Sequence, residues 1–214
     1  MRRTIVSVLT MGLLAGGVAL AAPAQAAPGG VSPPTAPTPP TAVPTPPPPP
    51  VRWGPCAAAS LKQAKAQCGY VTVPLDYARP TGKKIKLAVS RVAHSVPKAK
   101  YQGVILVNPG GPGGSGLTLS TLGAAVPGGV GKDYDWIGFD PRGVGSSRPA
   151  LSCDPTYGGF DCPDYRPENG AVAAWLPRAK AYAQACKAKG GDLLAHLRTE
   201  DTVRDMDQIR RALG

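Results

Sequence analysis

One segment of the chain has residue types and spacing that suit chemistry on a ligand. Asn108-Pro-Gly-Gly-Pro-Gly-Gly-Ser-Gly116 lies between an apolar run, Gly103-Val-Ile-Leu-Val107, and a stretch that can form a short helix, Leu117–Val126. Closely spaced glycines let a backbone turn tightly and let a ligand approach its N–H groups. Two chemistries use such a loop. Gly111-x-Gly113-x-x-Gly116 matches the dinucleotide-binding fingerprint, which needs a strand before it and a helix after it. Alternatively, fixed N–H donors in the loop can stabilise an oxyanion that exists only in a transition state. Pro112 between the first two glycines weighs against the dinucleotide reading. So does the lack of an acidic residue ending a second strand at a suitable distance.

The elements around the loop are legible from hydrophobic pattern. Gly69–Tyr77 alternates Tyr70 and Thr72 with Val71 and Val73, and Lys84–Val92 places Ile85, Leu87, Val89 and Arg91 on one side. With Pro80 and Gly82 between them, these read as two antiparallel edge strands. Gly103–Val107 is continuously apolar, the pattern of a parallel strand covered on both faces. Tyr134–Asp140 reads as the next buried strand, which completes a strand–helix–strand unit. Ala171–Lys189 is helical in composition and ends at Gly190-Gly191. Thr202–Leu213 carries Val203, Met206, Ile209 and Leu213 along one stripe. Thr202 with Asp205 suggests a capping box, Asp207 with Arg211 an i,i+4 pair, and Gly214 a helix stop.

The ends and the composition set the context. Arg2-Arg3, an apolar run from Thr4 to Ala22 and Ala24-Gln25-Ala26 describe a secretory signal peptide over 1–26, cleaved near Ala26. The run is only about the minimum length for a span and is broken by Gly16 and Gly17, which weighs against a stable membrane anchor, and the export route stays open. Residues 27–51 form a Pro-rich linker, with 12 prolines between positions 28 and 50. Such a segment is expected to be an extended, disordered spacer, open to association with a cell envelope. Export makes a nicotinamide cofactor unexpected. It leaves 52–214 as the folding domain, enough for one core.

The net charge is +11. The lysines are scattered and no aromatics interleave with them, so nucleic acid is excluded as a partner. The five cysteines lack C-x-x-C spacing and only His94 and His196 accompany them, which argues against a metal. In an exported protein they point to disulfides. Cys56 and Cys68 suit a short loop closure, and Cys153 or Cys162 can reach Cys186.

These motifs together resemble a known family. Asn108–Gly116 is similar to the N-P-G-G-P-G-G-S-G loop of secreted bacterial tripeptidyl aminopeptidases and is related to the H-G-G-P-G loop of proline iminopeptidases. Asp135–Ser147, with Asp140, Arg142 and Gly143, resembles the D-x-R-G-x-G-x-S turn of the same families. Thr199–Gly214 resembles the helix just ahead of their nucleophile, and Val73-Pro-Leu-Asp-Tyr77 their first strand. The resemblance covers about residues 52–214. It implies the N-terminal part of an α/β-hydrolase fold, incomplete as it stands, with an oxyanion loop at Gly110 and Gly111 and a supporting turn at Asp140, Arg142 and Gly143. It also implies a serine exopeptidase that releases tripeptides from peptide substrates with a free amino terminus through an acyl-enzyme, without metal or organic cofactor.

The catalytic residues themselves are expected elsewhere. No serine of the chain lies in Gly-x-Ser-x-Gly: Ser115 is followed by Leu117 and Ser147 by Pro149 at the positions a glycine would hold. His94 precedes both glycine motifs and His196 lies before the last helix, where neither suits a triad. The chain alone is therefore expected to be inactive, and its cut sheet to be poorly stable. A carboxylesterase on the same scaffold and a non-catalytic secreted binding domain are the alternatives.

Overall fold

The computed structural model describes residues 44–111, 113–157, 163, 166 and 170–214. The segment expected to be a signal peptide, most of the Pro-rich stretch, Pro112 and Cys162 lie outside the described residues.

A five-stranded mixed sheet organises the domain, in the order β1-β2-β3-β5-β4. β1 (Gly54–Pro55), β2 (Gln67–Pro74) and β3 (Lys84–Val92) run antiparallel, the hairpin that the alternation predicts. β4 (Gly103–Val107) and β5 (Tyr134–Phe139) pair in parallel. β5 also pairs antiparallel with β3, so it enters the sheet between β3 and β4.

Among the described strands β5 lies inside the sheet and β4 at one edge, with Val104 exposed.

β5 reaches both faces through its alternation. Ile137 and Phe139 join Val71, Val73, Ile85, Leu87 and Val89 in one core, against Ile209 and Ala212 of the C-terminal helix. On the opposite face, Trp136 Nε1 donates to the Gly131 carbonyl at 2.8 Å, and a Cβ added at Gly138 would lie 2.3 Å from the Gly116 carbonyl oxygen. That face is covered by two tight 3-10 segments, Leu117–Ala125 and Pro127–Asp133. The short helix expected over Leu117–Val126 is the first of these, in 3-10 form; its Gly123 carbonyl meets Gly131 too closely for any side chain there, and Pro127 and the left-handed Gly128 and Gly129 follow at once.

The described helices are α1 (Ala59–Gln63), α2 (Ala171–Leu194) and α3 (Thr199–Leu213). α2 breaks at Gly191, near the predicted stop. α3 begins three residues earlier than expected, and its N-cap is Arg198 with no side-chain cap. Thr202 and Asp205 therefore lie inside the helix and form no capping box. Val203 is exposed, so the apolar stripe consists of Met206, Ile209, Ala212 and Leu213. Asp207 pairs with Arg210 at 2.8 Å instead of Arg211, because the Arg211 guanidinium is taken by the Thr45 carbonyl. Gly214 ends the helix at positive φ, as its position predicts.

Cys56, which follows β1, is joined to Cys68 of β2, closing the loop that carries α1. Cys153 is joined to Cys186, which ties the segment after β5 to α2.

Candidate active site

The glycine loop leaves the C-terminal end of β4, and the Asp140 turn leaves the C-terminal end of β5. The two strands are parallel neighbours, so both segments meet at one end of the sheet. That is where ligands bind in parallel α/β sheets.

Asp140 holds the two together. Its side chain is fully buried. Oδ1 accepts from Ser115 Oγ at 2.6 Å and from the Gly116 N–H at 3.0 Å; Oδ2 accepts from the Ser146 N–H at 2.7 Å. One carboxylate thus spans the end of the glycine loop and the return of the turn. Its own backbone is fixed as well. The Asp140 N–H donates to the Ala88 carbonyl, and Ser147 Oγ donates to the Asp140 carbonyl at 2.7 Å while accepting from the Ala88 N–H.

Gly116 allows this approach. A Cβ there would lie 2.1 Å from the Phe139 carbonyl oxygen, a distance no side chain survives. Its role in loop–strand packing is thus geometric. Just beyond, Ser90 and Ser120 both donate to the Leu117 carbonyl, at 2.6 and 3.0 Å, and fix where the 3-10 segment begins.

Arg142 belongs to a second network, beneath the turn. All five of its N–H groups have acceptors. Nε and Nη2 grip the Asp205 carboxylate at 2.7 Å each; Nη1 donates to the Leu75 and His196 carbonyls, and Nη2 also to the Pro74 carbonyl. Tyr77 donates its hydroxyl to Asp205 Oδ1 at 2.7 Å. The Arg142 and Asp205 side chains are 1% and 0% exposed. Burial pushes the Asp205 carboxyl above its ordinary value, while Arg142 and then Tyr77 pull against that. Burial and then the Asp205 charge push the Tyr77 hydroxyl upward, so it stays a donor. Burial opposes the guanidinium charge, but the bonds to Asp205 prevail and raise Arg142. The two-pronged contact holds the pair ionised. Arg142 therefore joins β2, the turn and α3 from below.

Between loop and turn is an open cavity of about 450 Å³, walled by Asn108, Gly110, Gly111 and Gly113 on one side and Pro141–Gly145 on the other, with Thr199 and Thr202 of α3 at its end. Gly110 and Gly111 adopt φ of +65° and +45°, which only glycine takes readily. The structure thus brings the predicted loop residues Gly110 and Gly111 and the turn residues Asp140, Arg142 and Gly143 to one place. Cys56, Cys68 and Cys186 lie in the disulfides, away from the cavity walls.

His94 and His196 are elsewhere. His94 Nδ1 lies 2.7 Å from Asp135 Oδ1, at the N-terminal end of β5 and so at the opposite end of the sheet. His196 offers its backbone carbonyl to Arg142. Among the described residues no group of His, Cys, Asp and Glu suits a metal ion.

A loop after one parallel strand, clamped by an acid from the next, beside an open cavity at the strand ends, is the arrangement of a hydrolase sheet. The family model described as alpha/beta hydrolase fold matches residues 103–214, and the chain belongs to that family. Among curated proteins, the chain is 44% identical over 170 residues to a tripeptidyl aminopeptidase of Streptomyces coelicolor, covering 77% of this chain and 31% of that protein. It is 38% identical over 175 residues to Serine protease Hip1 of Mycobacterium tuberculosis, covering 77% and 33%. It is also 38% identical to a protein named Carboxylesterase B of the same organism, covering 96% and 40%. The chain spans about a third of the length of the first two relatives.

Proposed function

We propose that this chain is the oxyanion-loop portion of a secreted serine hydrolase, an exopeptidase that releases tripeptides from free amino termini through an acyl-enzyme. The observation that carries the proposal is the Asp140 clamp. Its buried carboxylate anchors Ser115 and Gly116, the end of the loop whose Gly110 and Gly111 wall a cavity at the strand ends. A preorganised donor costs no reorganisation when charge develops, which is why a rigid loop is worth more than a flexible one. The nucleophile, acid and histidine lie outside these residues, because no serine here has the Gly-x-Ser-x-Gly surroundings of a strained elbow. The 214 residues alone are therefore inactive. The tripeptide preference rests on the 44% identical relative named tripeptidyl aminopeptidase. Export follows from the residue pattern of 1–26, and two disulfides fit an oxidising compartment. The Pro-rich segment would associate the enzyme with the cell envelope.

Carboxylesterase chemistry is the second reading, favoured by the relative of that name, whose match covers 96% of this chain. One experiment separates the readings. The 214-residue chain, and a product of the same reading frame carried beyond residue 214, are given a tripeptidyl chromogenic amide, its amino-blocked form and a simple aryl ester. Turnover of the free amide by the longer product alone is the expected result. Ester turnover without amide turnover would replace the peptidase reading. Turnover by the 214 residues would overturn the assignment of the nucleophile.

A further inference from the structure

The residues just ahead of β1 have no part in the site above. Pro44-Thr-Pro-Pro-Pro-Pro-Pro-Val51 forms neither helix nor strand. Its exposure nevertheless repeats every three residues: Thr45, Pro48 and Val51 are partly buried, and the prolines between them are exposed. A polyproline II helix has three residues per turn, so a strip docked on one side buries every third residue. Proline has no N–H, so such a strip offers its partner carbonyls only.

The surface beneath it supplies donors. Arg211 Nη1 of α3 donates to the Thr45 carbonyl at 2.7 Å. The buried Gln208 side chain, with its amide oriented to satisfy both neighbours, donates to the Pro46 carbonyl at 3.3 Å and accepts from Arg211 Nη1 at 3.0 Å. At the other end, Val51 and Trp53 pack on the sheet core. The chain comes so near β2 that a Cβ at Gly69 would lie 2.6 Å from Val51 Cγ1. The Arg91 guanidinium covers the Trp53 ring at 4.6 Å.

The geometry points to a polyproline II docking groove built by α3 and β2, with the chain's own residues 44–51 as its occupant. The spacer is thus clamped before it reaches the first strand. The clamp sits at the C-terminal turns of α3, while Thr199 and Thr202 at the other end of that helix wall the cavity. At 1.5 Å per residue, the Gln208 contact lies roughly 10–15 Å along α3 from those threonines. Any tether running through residue 44 therefore joins the domain away from the cavity mouth, whatever chemistry the cavity performs.

The test is hydrogen exchange on the full chain, comparing the native sequence with a variant whose residues 46–50 are replaced by alternating Gly and Ser. The variant leaves α3 itself intact. Gly and Ser keep the carbonyls but not the fixed φ that presents them, so the two side-chain-to-carbonyl bonds should be lost and exchange of the amides of residues 208–213 should speed about tenfold, with β2, β3 and β5 unchanged. Unchanged exchange in α3 overturns the groove, and so does equal acceleration across the whole sheet, which would make residues 44–51 a general part of the core. Arg211→Ala gives a second reading: cleavage of the Pro44–Thr45 bond by a proline-specific endopeptidase should rise about tenfold from the loss of the contact at Thr45, and equal cleavage of both proteins contradicts the docking.

Discussion

Replacing Arg142 by Met should cost about 3–5 kcal/mol, the range for breaking a buried ion pair from one side. The magnitude follows from what the guanidinium leaves behind. Arg142 and Asp205 are 1% and 0% exposed, so the orphaned carboxylate would have no water in place of its two 2.7 Å donors. The carbonyls of Pro74, Leu75 and His196 would lose donors as well. Arg142→Lys keeps the charge but not the planar fork, so it should recover only part of the loss. Arg142→Met combined with Asp205→Leu removes both charges and should be more stable than Arg142→Met alone. The sign of the pH dependence can be worked out too. Asp205 already lies above its ordinary value, and without Arg142 it should rise further. A carboxyl raised in the folded state costs stability above its unfolded value of about 3.9 and not below it. The gap between native and Arg142→Met should therefore narrow as pH falls toward about 4. Urea unfolding measures this, through a shift in midpoint at constant slope. A loss under about 1 kcal/mol, or a gap that widens in acid, would refute a buried and ionised pair.

Two further outcomes follow from packing and cross-links. Gly116→Ala should destabilise by about 1–3 kcal/mol, as overpacking does, because its Cβ would collide with the Phe139 carbonyl at 2.1 Å; an unchanged melting temperature would contradict the loop's seat on β5. Reduction of the disulfides should cost about 3 kcal/mol for the 12-residue Cys56–Cys68 separation and about 4 kcal/mol for the 33-residue Cys153–Cys186 separation; Cys→Ser variants compared by urea midpoint check both the size and the order.

Sequence patterns revealed elements where one period dominates. The Val71/Val73 and Ile85/Leu87/Val89 alternation places the hairpin because one face is buried. The apolar run of Gly103–Val107 told of a parallel strand but not of its neighbour: β5 pairs with it on one side and with β3 on the other. The short helix over Leu117–Ala125 was legible, but its 3-10 form and its packing of Gly123 against Gly131 are tertiary features that no local propensity records.

At the site, the motifs located Gly110, Gly111, Asp140, Arg142 and Gly143 but not their partners. Asp205 and Tyr77 are 63 and 128 residues away from their contacts in the chain. A signal for Asp205 was present. Asp201, Asp205, Gln208, Ile209 and Ala212 share one helical face, and acids on the face that carries the buried Ile209 require cationic partners. Reading Asp205 as a cap partner of Thr202 hid that.

The central claim is that the glycine loop is an oxyanion donor held by Asp140. Its most direct test is the kinetics of Asp140→Ala in the product carried beyond residue 214. Ser115 Oγ, the Gly116 N–H and the Ser146 N–H would lose their acceptor, and the loop would lose its fixed aim. The account predicts a fall in kcat of about 10²–10³, the cost of losing an oxyanion donor, with KM nearly unchanged. A variant that is less stable yet keeps the native kcat would contradict it.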